Sequence, residues 1–396
     1  MVEYRPIPDD RRDDLSATLS YAFSPENGPF EPNGAELPPP ATTGDGRGLF
    51  DGRDLVSVCK HHWLDAGLRG ETVPMAGLSA VATPPEHRRR GSVRTLLRES
   101  LREYRDREVP LAALWPFETP FYEQFGWATA FLTAVQVGAP DVFRIGDRRE
   151  GRFYRADPDD WPALDRVLAN QDRPAELAVD RSEEWWRKRT FHSWGTDPYV
   201  YVWERDGNPA GYVVYTVSAT DDGKELRVGD LAFVDRSARR ALLGFLADHD
   251  SQVDRVRLSG PADSVLLDRV EDPADLDVTL EAGAMVRIVD VVDALEAIDY
   301  PPAADGSTRV AVADPLVEWN GATFEFEVAD REATVAPVGR QPAVEMGVGA
   351  LSQLLVGYRS IDGLREAGDV RVRDESALDL LDAAFPESRA YLREWF

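Results

Sequence analysis

The sequence predicts an α/β chain with an α+β end: two tandem mixed units, 1–150 and 151–295, and a third domain, 296–396. Three observations predict it. The 396 residues exceed the roughly 250–300 that one hydrophobic core supports. A strand–helix–strand rhythm over 75–117 returns over 225–260, the mark of an internal duplication. From about 296 onward that rhythm gives way to a strand-rich meander followed by short helices.

The elements follow in order. DLSATLSYAF (14–23) is an amphipathic helix, and SPENGPFEPNGAELPPPATTGDGRG (24–48) is a long Pro- and Gly-rich loop. Loops of that length inside a compact domain tend to carry function, and this one is expected to line a pocket. DLVSVCKHHWLDAG (54–67) and ETVPMAGLSAVATP (71–84) read as strands, rich in β-branched and small apolar residues. After PPEHRRRG, helical spacing sets in: Val93, Leu96, Leu97, Leu101 and Tyr104 share one face, and Arg94, Arg98 and Arg102 another. PLAALWPF (110–117) is a short buried strand, and PFYEQFG (120–126) a short helix ended by glycine. ATAFLTAVQVGA (128–139) closes the unit as a strand.

In the second unit, the helices DWPALDRVLANQ (160–171) and SEEWWRKRTFH (182–192) precede a strand pair over 199–217 that turns at Asp206-Gly207-Asn208. ELRVGDLAFVD (225–235), RSARRALLGFLADHD (236–250) and QVDRVRLSG (252–260) then repeat strand, helix, strand. Nothing in VDRSARRALL matches Gly91, so this copy is expected to pack rather than bind. In the third domain Asn320-Gly321 is a hairpin signal within the meander 307–338, and helices follow over 347–358, 360–368 and 376–386.

Composition narrows the function. No apolar run reaches the roughly 18 residues of a membrane span, and the first residues lack signal-peptide character. The single cysteine, Cys59, suits a reducing cytoplasm, and the five histidines show no metal-ligand spacing, so no metal is expected. Formal net charge is −26, with only Lys60, Lys188 and Lys224 as lysines. Such a surface suits hydration in molar salt and a haloarchaeal cytoplasm. A GC-rich genome explains the lysine scarcity equally well, but not the acidic excess. No domain carries a basic face suited to nucleic acid, and no membrane partner is expected.

The arginine turn is therefore conspicuous. A glycine at a strand-to-helix turn lets backbone amides approach an anion, the helix N-terminus adds partial positive charge, and flanking guanidinium groups add charge-assisted hydrogen bonds. A diphosphate fits that combination better than one carboxylate. A solvated, arginine-rich helix start fits the same residues. Tyr122 divides similarly, between packing beside Phe121 and Phe125 and donating a proton.

VATPPEHRRRGSVRTLL resembles the acetyl-CoA-binding motif of GNAT-superfamily N-acetyltransferases, in which a strand meets Arg/Gln-x-x-Gly-x-Gly/Ala opening a helix. Arg88 and Gly91 fit; Val93 stands where Gly or Ala is usual, as it does in the Eis-type (enhanced intracellular survival) branch, whose usual form is HRRRG followed by aliphatics. The resemblance spans the chain: an active GNAT domain, a degenerate second copy and a domain like a sterol carrier protein. It implies acetyl-CoA as co-substrate. Its pantetheine arm pairs with the backbone of Val81, Ala82 and Thr83, its diphosphate lies on Arg89, Arg90, Gly91, Ser92, Val93 and Arg94, and further contacts come from Phe117 and Glu118. It also implies Tyr122 as general acid and the terminal carboxylate of Phe396 as base. A free α-carboxylate has a pKa of roughly 3.3–3.7, low for a base, and burial beside Trp395 would raise it.

The acceptor is expected to be a small cationic amine, aminoglycoside-like or polyamine-like, or a peptide amine. The resemblance further implies a homo-oligomer, a hexamer-like ring. Ala80 stands beside the cofactor strand where bacterial relatives often carry a bulky aromatic. Two other readings compete: a ligand carrier with a vestigial acyltransferase fold, and a structural module.

Overall fold

The computed structural model describes residues 2–32, 37–145, 151–171 and 175–396, so 33–36 of the predicted loop and the boundary at 150 lie outside the described residues. The chain begins with β1 (Val2–Pro6), α1 (Arg12–Phe23), β2 (Asp45–Asp51), β3 (Asp54–Leu68) and β4 (Glu71–Ala82). It continues through α2 (Ser92–Asp106), β5 (Leu111–Leu114), α3 (Thr119–Glu123), β6 (Ala128–Thr129) and β7 (Leu132–Gly138). The second unit holds β8 (Arg152–Arg155), α4 (Trp161–Ala169), β9 (Val179–Asp180), α5 (Glu183–Trp185), β10 (Tyr199–Arg205) and β11 (Asn208–Thr220). Then come β12 (Gly223–Phe233), α6 (Arg236–Ala247), β13 (Arg255–Pro261), β14 (Leu276–Ala282) and β15 (Met285–Ile288). α7 (Val291–Glu296) spans the boundary expected at 296, and the third domain continues with β16 (Gly306–Ala313), β17 (Thr323–Ala329), β18 (Glu332–Pro337) and β19 (Val344–Gly347). It ends with α8 (Val348–Leu355), α9 (Ile361–Ala367), β20 (Val370–Val372) and α10 (Ser376–Ala384).

Three sheets result, in the orders β1-β2-β3-β4-β5-β15-β6 (with β9 on β3), β14-β7-β13-β12-β11-β10-β8, and β18-β17-β16-β19-β20. The first two sheets trade strands: β7 precedes residue 150 yet pairs in the second sheet, and β15 comes late yet pairs in the first. The single strand expected over 128–139 is therefore split. At the crossing Ala130 N–H donates to the Ala284 carbonyl and Gly283 N–H to the Phe131 carbonyl, both at 2.9 Å. A Cβ at Gly283 would come within 2.3 Å of the Phe131 ring, so only glycine lets the two segments cross.

Within the duplication, α2 buries Leu96, Leu97, Leu101 and Tyr104 as their spacing predicts. β1 and the start of β2, the latter inside the stretch read as a loop, were not marked by the sequence pattern. The hairpin expected at Asn320-Gly321 is also displaced. Asn320 is buried, its amide donating to the Val289 carbonyl and its oxygen accepting Val291 N–H, both at 3.0 Å. The tight hairpin instead joins β17 to β18 at Asp330-Arg331, whose φ angles of 54° and 71° suit the mirror-image turn that right-twisted strands favour.

Candidate active site

β4 and β5 run parallel from Met75↔Leu111 to Leu78↔Leu114, where β5 ends. β4 continues to Ala82 paired with β3 alone. Between the pairs Lys60↔Ser79 and Val58↔Ala82 it carries one extra residue, a bulge, and Ala80 adopts the left-handed φ of 53° there. A wedge thus opens beside Val81 and Ala82, with an unpaired strand edge for an extended ligand. Thr83 is partly committed: its carbonyl accepts Arg88 Nε at 3.1 Å and its hydroxyl lies 3.0 Å from Ser57 Oγ.

After β4 and the turn over 83–90, α2 starts with Gly91 as its N-cap residue, whose φ of 80° favours glycine and whose missing Cβ fronts open space. No side chain caps this helix, and its first intrahelical bond runs from Thr95 N–H to the Gly91 carbonyl at 3.1 Å. The amides of Ser92, Val93 and Arg94 therefore lack helical acceptors. Arg89 and Arg90 are exposed. Arg94 departs from expectation: its guanidinium turns to the Pro315 carbonyl of the third domain and lies 5.8 Å from the Phe125 ring. It offers the wedge an amide, not a fork.

Phe117 is 70% exposed, and Glu118, also exposed, precedes α3 as its N-cap residue. Tyr122 on α3 is buried, its ring 5.7 Å from Phe117 and 5.1 Å from Phe121. Behind it, buried Arg287 donates to the Phe125 carbonyl and pairs with Asp314 at 2.6 Å, fixing the turn through the third domain. Burial and the nearby Cys59 push the Tyr122 phenol up, so its proton stays on at neutral pH. Tyr122 thus packs against Phe117 and Phe121 and keeps its phenolic proton.

The C-terminal segment reaches this region along a pinned path. The Glu394 carbonyl accepts Trp115 Nε1 at 2.8 Å, and Trp395 stacks on Trp115 with centroids 3.7 Å apart. The Trp395 carbonyl accepts Arg189 at 2.6 Å. The Phe396 ring then abuts Gly77 on β4, whose Cβ would come within 3.0 Å of it. His62 lies 5.5 Å from that ring and its Nε2 3.0 Å from Ser79 Oγ. Burial, with Arg189 and Lys60 nearby, lowers His62 to about 3, leaving it neutral. Burial also brings Arg189 down to about 10. Sequence reasoning passed over His62, Trp115 and Arg189; the run of aromatics in AYLREWF was the one signal that the end of the chain is packed.

Among the described residues no group of three His, Cys, Asp or Glu side chains gathers to hold a metal, and no helix is long and apolar enough to cross a membrane. Residues 3–130 and 177–288 each match an acetyltransferase (GNAT) domain, and 291–393 match a sterol carrier protein domain. The chain is 29% identical over 357 residues to N-acetyltransferase Eis of Mycobacterium tuberculosis, covering 85% of each. A Streptomyces avermitilis N-acetyltransferase is 28% identical over 409 residues, covering 96% of this chain and 95% of the relative. Among solved structures, a probable N-acyltransferase from Enterococcus faecalis superposes over the whole length of both chains with a TM-score of 0.89 at 21% identity. Eis1 of Mycobacterium abscessus superposes over the same extent at 0.76 and 24%.

Proposed function

Taking the chain as an acetyltransferase built of two GNAT domains and a sterol carrier protein domain, we propose that the first unit transfers the acetyl group of acetyl-CoA to an amine. One combination carries the assignment to that unit: β4, which runs past the end of β5 and meets the Phe396 ring at Gly77, leads directly into a helix that starts uncapped at Gly91. The amides of Ser92, Val93 and Arg94, with Arg89 and Arg90, hold the diphosphate. Val81 and Ala82 pair with the pantetheine amides, so the thioester lies in the wedge. Phe117 and Glu118 border the nucleotide end.

The amine nitrogen attacks the thioester carbonyl, and forming the C–N bond makes its proton strongly acidic. The Phe396 carboxylate accepts that proton, which a weak base can do once the nitrogen is acidified. As the C–S bond breaks, Tyr122 donates its phenolic proton to the departing sulfur. Proton exchange with solvent then restores the phenol and the carboxylate. The acceptor class is a small cationic amine or a peptide amine, drawn by the protein's net negative charge. The acidic, lysine-poor composition supports work in molar salt, and the family resemblance supports a ring-shaped homo-oligomer.

Thiol release from acetyl-CoA with a panel of polyamines, aminoglycosides and peptides in molar KCl tests the reading. Tyr122→Phe is expected to lower kcat about 100-fold with little change in acetyl-CoA affinity. Adding residues after Phe396 is expected to abolish turnover in folded protein; full activity of such an extended chain removes the carboxylate from the mechanism.

A further inference from the structure

We propose that the chain's own tail is seated in the second unit's cofactor-like wedge, and that this seating fixes the Phe396 carboxylate in the first unit's site. The proposal rests on the reading of that carboxylate as proton acceptor.

The second wedge repeats the first. β12 and β13 run parallel from Glu225↔Arg255 to Val228↔Leu258, after which β12 continues to Phe233 without that partner. It too carries one extra residue, between the pairs Tyr215↔Val228 and Val214↔Asp230. Two differences remove the anion site. No glycine opens α6, and the Asp235 carboxylate accepts Ala238 N–H at 2.8 Å, occupying the helix start.

Just past the bulge, where the first wedge leaves Val81 and Ala82 without a strand on the β5 side, the tail is already seated. Arg393 donates to the Leu231 carbonyl and to Asp230, the latter at 2.9 Å. Arg181 spans Asp230 and Glu394 at 2.7 Å each. Two cations and two carboxylates thus form a neutral set, with side-chain exposures of 4% for Arg181, 1% for Glu394, 10% for Asp230 and 19% for Arg393. Burial alone would raise Asp230, but Arg181 and Arg393 hold it down at about 2. A cavity of about 490 Å³, bordered by Leu231, Phe233, Arg236, Ser259 and Arg393, is the part of the wedge the tail leaves open.

From this anchor to the terminus there is little slack. Residues 393, 394 and 395 each carry a bond to another element, so only the torsions of the last residue separate the held Trp395 carbonyl from the carboxylate. Asp230, Arg181 and Arg393 are therefore positioning residues; none is expected to meet the substrate.

The test replaces Asp230 with its uncharged isostere, Asp230→Asn. In folded enzyme, judged by circular dichroism, kcat is expected to fall at least tenfold with the KM for acetyl-CoA within twofold of wild type. Carboxypeptidase A, followed by intact mass, should remove Phe396 at least tenfold faster than from wild type. Deleting Phe396 should cost at least tenfold less in the Asp230→Asn background than in wild type, because the carboxylate is already misplaced in most of the molecules. Unchanged trimming, or losses that multiply in the double variant, overturns the proposal. Should Asp230→Asn not fold, Arg393→Gln carries the same three measurements. If deleting Phe396 leaves wild-type turnover intact, the proton-acceptor reading fails, and trimming alone then decides whether the wedge holds the tail.

Discussion

Two wedges with one backbone plan lie in a single chain, and they differ where the following helix begins. Each is made where a pair of parallel strands parts just before a bulge, Leu78↔Leu114 in one and Val228↔Leu258 in the other. What differs is the residue at the helix start. Gly91 leaves three amides bare, whereas Asp235 meets its own helix with a carboxylate. On the proposed reading, splayed strands alone do not make a cofactor site, and the charge at the helix start decides whether a diphosphate is attracted or repelled.

The sharpest way to break this comparison is to give the first wedge the second one's cap. Asp tolerates left-handed backbone better than most residues, so Gly91→Asp should fold. Its carboxylate would occupy the amides of α2 and face the diphosphate with like charge. Losing two or three charge-assisted hydrogen bonds predicts acetyl-CoA binding weaker by roughly 10³-fold, about 4 kcal/mol. Calorimetry in molar KCl measures this directly, and a Kd within threefold of wild type would show that the amides do not hold the cofactor.

The same contrast shows what the sequence alone conveyed. HRRRG could be read because the φ of 80° at Gly91 is a local demand that leaves a residue-level trace, and the leucine spacing of α2 is equally local. The missing glycine in VDRSARRALL marked the second copy as altered, but not that Arg393 would fill its wedge. That contact joins residues 162 apart, and no periodicity records it. The exchange of β7 and β15 escaped notice for a related reason: 128–139 alternates well enough for one strand, and the break at Phe131 depends on a glycine far along the chain, Gly283. Arg94 had the right spacing for the diphosphate but a better partner in Pro315, supplied by a domain that a local motif does not contain.

Acid should separate the two units by a smaller effect. Burial holds His61 and His62 of the first unit at about 3, below the value of 6.5 that applies when they are unfolded. Between those limits the unfolded chain binds more protons, so stability rises with pH there, and this penalty grows as pH falls below 6.5. In the second unit Asp230 is held at about 2 against an ordinary 3.8. Its contribution is present above pH 3.8 and is lost as pH falls through 2. Hydrogen exchange at pH 5 should therefore show β3 and α2 loosening before β12 and α6. Simultaneous loosening would mean that the strand exchange couples the units too tightly for their own titrations to show.

The mildest intervention runs the comparison in reverse. Asp235→Ala removes the cap from α6, deleting the bond to Ala238 N–H and the pair with Arg205 at 2.7 Å. The Arg205 pair is solvent-exposed and adds little, so the cost is that of an N-cap, about 1 kcal/mol. Baring these amides should still not create a second cofactor site, because Arg393 remains on the Leu231 carbonyl and no glycine turn precedes the helix. Denaturant melts give the stability change, and calorimetry should return one acetyl-CoA per chain for wild type and variant alike. A second equivalent bound by Asp235→Ala would mean that the cap alone silences the second wedge, and that the tail merely lies beside it.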